Sequence, residues 1–230
     1  METLFFRGIH QVRRAYLTYL ALGDSLTVGV GASFLAPGFV GRYKQITEEK
    51  LDKHVFTTIY AKSGIETGEV LKIVQNKWLH EKIRGANIIT ISAGGNDLIE
   101  ASEEFIETGE VAEITESVKG CVQNLSEIMS IIQQLKKDCG VPYRVYLLNL
   151  YNPLPQIPLA DKWVQIINQK LNRFDNGSTI QIVNIYSTFD GRQSELLSRR
   201  DGIHPNNAGY QEIAEAIIQR GYPKEFYETM

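Results

Sequence analysis

The sequence predicts an α/β protein, a three-layer α/β/α sandwich on a flavodoxin-like five-stranded parallel sheet. Three observations predict it. Five short apolar runs are rich in Val, Ile, Leu and Tyr. The stretches between them place apolar residues at steps of three and four, the helical period. Strand and helix alternate along the chain, and that order implies right-handed crossovers and a parallel sheet covered on both faces. The expected strand order is 2-1-3-4-5.

The runs lie at residues 15–22, 55–60, 87–92, 144–150 and 180–186, and each reads as a buried parallel strand. The first follows Arg13-Arg14 and has some likeness to the apolar part of a signal peptide. It is short, however, carries Thr18 and two tyrosines, and leads straight into the chain's best motif, so removing it would cut into that motif. It reads as a strand. Residues 1–14 are then a short N-terminal extension, and 15–230 form a single domain. Without a convincing leader, a cytoplasmic location is expected.

Among the helical stretches the clearest carries Ile114, Val118, Cys121, Val122, Leu125, Ile128, Met129, Ile132 and Leu135 on one face, and Gly140 then Pro142 end it. Leu159, Trp163, Ile166, Ile167, Leu171 and Phe174 form a second stripe. Ala208, Ile213, Ala214, Ile217 and Ile218 form a third, after Pro205-Asn206-Asn207 as a start signal. The acidic segment 99–113 reads as a flexible insertion. Residues 151–158 hold three prolines and are not a regular helix.

The 230 residues are 43% apolar and 22% charged, ordinary for a globular domain, with a net charge of −3. No dense basic run exists for nucleic acid, and no segment approaches the ~20 apolar residues of a membrane helix. Cys121 and Cys139 would stand roughly 27 Å apart on one helix at 1.5 Å per residue, beyond the ~7 Å Cα separation of a disulfide. Free thiols are expected, with Cys121 as core filler. Oligomeric state is not legible.

In an open α/β sheet, ligands sit beyond the carboxyl ends of the strands. The first strand runs into Gly23-Asp24-Ser25-Leu26, the second into Ala61-Lys62-Ser63-Gly64, the third into Gly94-Gly95-Asn96-Asp97, and after the fifth comes Asp201-Gly202-Ile203-His204-Pro205. A serine hydroxyl needs an adjacent base to act as a nucleophile. On a strand-to-helix turn Ser25 would face the crevice, its N–H aimed at a developing oxyanion; Asp24 and Ser25 also suit a plain helix cap. Of the four histidines, His10, His54 and His80 have no neighbouring motif and read as surface or strand-edge residues. His204 has Asp201 three positions before it, a spacing that lets the carboxylate take the imidazole Nδ1–H and leave Nε2 as a base. The pair also suits a cap on the last helix. No further His, Asp or Glu stands at metal-ligand spacing. Asn96 can donate its amide to an oxyanion, a contribution of about 3–4 kcal/mol at a transition state; Gly64 can donate a backbone N–H; Asp97 reads as a brace for the Asn96 loop. For Gly64 and Asn96 ordinary turn chemistry is the alternative.

Together these blocks resemble the GDSL, or SGNH, hydrolase family, and its bacterial lipase/acylhydrolase members in particular, over nearly the whole chain. The Gly64 block is the loosest match. The resemblance implies a serine-dependent carboxylic ester hydrolase: Ser25, Asp201 and His204 as the triad, Ser25, Gly64 and Asn96 as the oxyanion hole, no cofactor and no metal, and a small-molecule or lipid ester as substrate. The acyl pocket is expected around 98–110 and 151–159, with Leu98, Ile99, Phe105, Tyr151, Leu154 and Ile157 either holding the chain or sealing the core. The modest apolar content gives no sign of a membrane-inserting lid. A noncatalytic acyl- or carbohydrate-binding module on the same scaffold is the alternative. A nucleotide binder is disfavoured, since Gly29-Val30-Gly31 fits no phosphate-cradling motif.

Overall fold

The computed structural model describes residues 16–228; the whole N-terminal extension, residues 1–14 with His10, and Ala15 lie outside them. Five strands, β1 (Tyr16–Gly23), β2 (His54–Ala61), β3 (Ile88–Ser92), β4 (Arg144–Leu148) and β5 (Ile180–Val183), pair in parallel in the order β2-β1-β3-β4-β5. This is the expected flavodoxin-like order. The apolar run that looked partly like a leader is β1, paired with β2 on one side and β3 on the other.

Side chains of successive strand residues point to opposite faces, and the two faces have separate cores. Leu20, Leu22, Ile89, Ile91, Val145 and Leu147 meet α3 (Thr67–Gln75), α4 (Lys77–Gly85), α5 (Gly95–Thr108), α6 (Val111–Lys136) and α7 (Pro158–Leu171). Tyr19, Ala21, Ile88, Tyr146 and Leu148 meet α2 (Phe39–Leu51), α8 (Ile185–Phe189), α9 (Gln193–Leu196) and α10 (Asn207–Gln219). The connection from β1 opens with the short helix α1 (Ser25–Val28). Burying a Leu, Ile or Val contributes about 1.5–3 kcal/mol, so the two cores are what hold the strand ends in place. Cys121 and Cys139 are free thiols, Cys121 within the core.

Three local expectations need correction. Segment 99–113 is not an insertion: it forms most of α5 and the start of α6, because Leu98, Ala101 and Phe105 recur at helical spacing and pack on the core while the glutamates face outward. The fifth strand stops at Val183, since Asn184 caps α8 by accepting from the Ser187 N–H at 3.2 Å, which puts Tyr186 in a helix. Finally, β2 is an edge strand with Phe56 and Ile59 largely exposed.

Candidate active site

The turn that carries Ser25, the candidate nucleophile, is built by close approach. Gly23, the last residue of β1, has φ +143°, and a Cβ there would lie 2.1 Å from the Ser92 carbonyl oxygen. Only glycine lets the chain pass the end of β3 and turn. Asp24 then caps α1: its Oδ1 accepts from the Leu26 N–H at 3.0 Å and from the Ser92 hydroxyl at 2.7 Å. Burial raises the Asp24 pKa, against the lowering effect of those two bonds. So the cap reading of Asp24 holds, and it serves to place the next residue. Ser25 is the first residue of α1, where an N–H has no carbonyl within the helix to bond.

His204, the candidate base, comes from the loop between α9 and α10. Leu197 bridges Pro205, and the Ser198 N–H donates to the His204 carbonyl at 2.7 Å. Inside that loop Asp201 Oδ1 accepts from the Ile203 and His204 N–H groups at 2.9 and 3.0 Å, and Oδ2 lies 2.9 Å from His204 Nδ1. Burial works to raise the Asp201 pKa, but the bonds from Ile203 and His204 outweigh it and hold the carboxyl below its ordinary value. An ionised carboxylate only accepts, so Nδ1 carries the proton and Nε2 is bare. His204 Nε2 is 2.9 Å from Ser25 Oγ, across 179 positions of sequence, and there the serine hydroxyl donates.

Two residues that the sequence suggested for other roles, Tyr151 for the acyl pocket or core and Gly31 for a phosphate loop, hold this loop. The Tyr151 hydroxyl donates to the Ile203 carbonyl at 2.6 Å, with its ring stacked on Phe189 at 4.4 Å. Gly31, φ +95°, has the Pro205 carbonyl oxygen 2.5 Å and His204 Cβ 2.8 Å from where its own Cβ would be. The glycines that failed as a phosphate loop therefore serve the histidine. A short polar residue at the ligand end of the third strand, Ser92, was the legible sign of the Asp24 support; nothing local marked Tyr151 or Gly31.

The candidate oxyanion donors Gly64 and Asn96 follow β2 and β3, whose ends pair with Gly23 through Ala61 and Ser92. Gly64 adopts φ +82°. Asn96, in the first turn of α5, donates one Nδ2 hydrogen to the Ile65 carbonyl at 2.7 Å. That bond ties its amide to the residue after Gly64 and leaves the second hydrogen for a ligand. Asp97 braces more than its own loop: its carboxylate accepts from the Thr67 N–H at 3.0 Å and hydroxyl at 2.5 Å, fastening α5 to the start of α3. Asn124 donates to the same Thr67 oxygen at 3.0 Å. Burial raises the Asp97 pKa despite the Thr67 bonds.

The six residues suggested for the acyl chain divide. Leu98 is buried, and Phe105 and Tyr151 pack against the cores, whereas Ile99, Leu154 and Ile157 are exposed.

Residues 21–212 match the sequence profile of the GDSL-like lipase/acylhydrolase family. The spore germination lipase LipC of Bacillus licheniformis is 40% identical over 206 residues, covering 90% of this chain and 97% of that protein. The Bacillus subtilis protein YpmR is 27% identical over 225 residues, 92% of this chain and 86% of its own. Among solved structures, the lipase Lip_vut3 from a goat rumen metagenome superposes with a TM-score of 0.86 at 40% identity, over 91% of this chain and 99% of that one. The esterase EstA from Pseudoalteromonas sp., at 19% identity and a TM-score of 0.61 over 88% and 95% of the two chains, shares the fold.

Proposed function

The chain belongs to the GDSL-like lipase/acylhydrolase family and is a carboxylic ester hydrolase, and on that premise we propose that it cleaves lipid esters through an acyl-enzyme on Ser25. The observation that carries the assignment is the unbroken line from Ser25 Oγ through His204 to Asp201, with both links at 2.9 Å. Kinship with two lipases at 40% identity favours lipid esters as the substrate class.

Ser25 Oγ attacks the ester carbonyl carbon as His204 Nε2 takes its proton. The oxyanion that forms is met by the Ser25 and Gly64 N–H groups and by the free Asn96 amide hydrogen. Asp201, ionised, stabilises the imidazolium and keeps its ring oriented. His204 then protonates the leaving alkoxy oxygen, the carbon–oxygen bond breaks, and an alcohol departs. Water, deprotonated by His204, attacks the acyl-serine; the proton returns to Ser25 Oγ and a carboxylic acid leaves.

The test is hydrolysis of p-nitrophenyl esters of rising chain length by the wild type and by Ser25→Ala, with fluorophosphonate labelling alongside. Turnover and a label on Ser25 in the wild type, both absent in a folded variant, support the assignment. A folded wild type with neither turnover nor label overturns it.

A further inference from the structure

The turn between α1 and α2 carries a surface that the hydrolytic chemistry does not use. From Ser25 to Gly41, seventeen consecutive residues include no Asp, Glu, Lys, Arg or His, in a chain that is 22% charged. At the tip of this stretch Phe34 and Leu35 are 89% and 88% exposed. Leu35 has φ +64°, a left-handed conformation that is costly for a branched side chain. Single exposed apolar residues are ordinary. Two adjacent ones, held out by a strained turn within an uncharged segment, are a feature of another kind.

The tip is tied down at its base. The Ala36 N–H closes the turn on the Ser33 carbonyl at 2.9 Å. The Ser33 N–H donates to Asn207 Oδ1 at 2.9 Å, and Asn207 Nδ2 returns a bond to Ser33 Oγ at 3.0 Å. The Tyr210 hydroxyl donates to the Val30 carbonyl at 2.5 Å. The same segment includes Gly31, seated against His204. The exposed pair therefore projects from a framework continuous with the loop that holds the base.

We propose that the Phe34–Leu35 tip is an anchor that inserts into the surface of aggregated lipid and holds the Ser25–His204 pair at that surface; the proposal rests on the lipid-ester reading above. A second copy of the chain is a poorer occupant, because two side chains cover about 300–400 Å² and a stable protein contact needs about 800 Å² per partner. A lipid surface needs no matching shape. An uncharged tip on a chain of net charge −3 has nothing to attract anionic headgroups, so insertion depends on apolar contact and is insensitive to salt.

The experiment compares the wild type with a variant carrying both Phe34→Ser and Leu35→Ser, by sedimentation with phosphatidylcholine vesicles at low and high salt. Hydrolysis of an emulsified triacylglycerol and of soluble p-nitrophenyl butyrate is measured beside it. The expected result is salt-independent binding by the wild type, a loss of at least about tenfold in vesicle partition and in emulsion turnover in the variant, and equal rates on the soluble ester. Equal partition of the two proteins, or no partition by the wild type, overturns the anchor. A wild-type dimer in sedimentation velocity that the variant abolishes assigns the tip to self-association and also overturns it. Failure of the wild type on the soluble ester would instead count against the Ser25 assignment, while vesicle binding, read without turnover, still decides the anchor.

Discussion

Gly31 lies against His204: a methyl group in place of its hydrogen would stand 2.8 Å from His204 Cβ and 2.5 Å from the Pro205 carbonyl oxygen. The His204 side chain is thus positioned partly by an atom that is missing from a distant loop. Gly31→Ala is expected to push the His204 loop outward and to lower kcat by about 10–100-fold, since displacements of an ångström carry such costs, with KM little changed. It should also destabilise by about 1–3 kcal/mol through overpacking. Gly140→Ala is the control, because Gly140 also has positive φ but nothing within 4 Å of an added Cβ. Loss of stability in both variants with loss of kcat in Gly31→Ala alone would isolate the contact with His204.

Asp201→Asn is expected to lower kcat by roughly 10³–10⁴-fold with the fold intact, because an amide at Oδ2 can present an N–H to the imidazole and favour the wrong tautomer. Its pH signature is separable. The Asp201 carboxyl titrates below its ordinary value, so its contribution to stability is complete above the usual aspartate range of about 4 and is lost as the pH falls through the lower folded-state value. The stability gap between wild type and variant should therefore hold from neutral to mildly acidic pH and close only below about 4.

Thr67→Val removes the hydroxyl that donates to buried Asp97 at 2.5 Å and accepts from Asn124. Leaving those groups short of partners should cost about 1–3 kcal/mol. Because Asp97 follows Asn96 directly, kcat should fall as well, and Thr67→Ser, which keeps the hydroxyl, should restore both. Thermal melts and initial rates read the two effects separately. An inactive Thr67→Ser protein of normal stability would remove the brace from the account.

Glu66, the residue that caps α3, has its pKa raised to about 7, chiefly by its hydrogen bond with Glu100, then by burial and by Asp97. A carboxyl raised in this way favours the fold when protonated. Its contribution is present below the ordinary glutamate value and is lost as the pH rises toward 7. Glu100→Gln should relieve that loss. The variant should melt higher than the wild type at pH 8, by an amount of about 1 kcal/mol or less given the solvent screening at this surface, and the two should converge at low pH.

Much of the molecule can be read from the chain alone. Apolar runs with strand character, stripes at helical spacing and the alternation between them determine a parallel sheet with two covered faces, because burial of those side chains has no other comparably good arrangement. The same order carries Ser25, Gly64 and Asn96 to the carboxyl end of the sheet, where a crevice must lie. Asp201 and His204 are paired by a local turn, so their spacing is legible too.

Tertiary structure alone decided the rest, for two physical reasons. Some signals are relational: Gly31 matters for what it leaves room for, Tyr151 for a carbonyl in another loop, and Thr67 for a carboxylate on another helix, and none of these partners is a sequence neighbour. Other signals compete locally. Acidic residues in 99–113 read as a solvated insertion until Leu98, Ala101 and Phe105 find a core to cover, and the apolar run through Tyr186 reads as strand until Asn184 caps a helix. The exposure of Phe34 and Leu35 belongs to the same class. An apolar pair looks like core in any sequence, and only the packed chain shows that it was left outside.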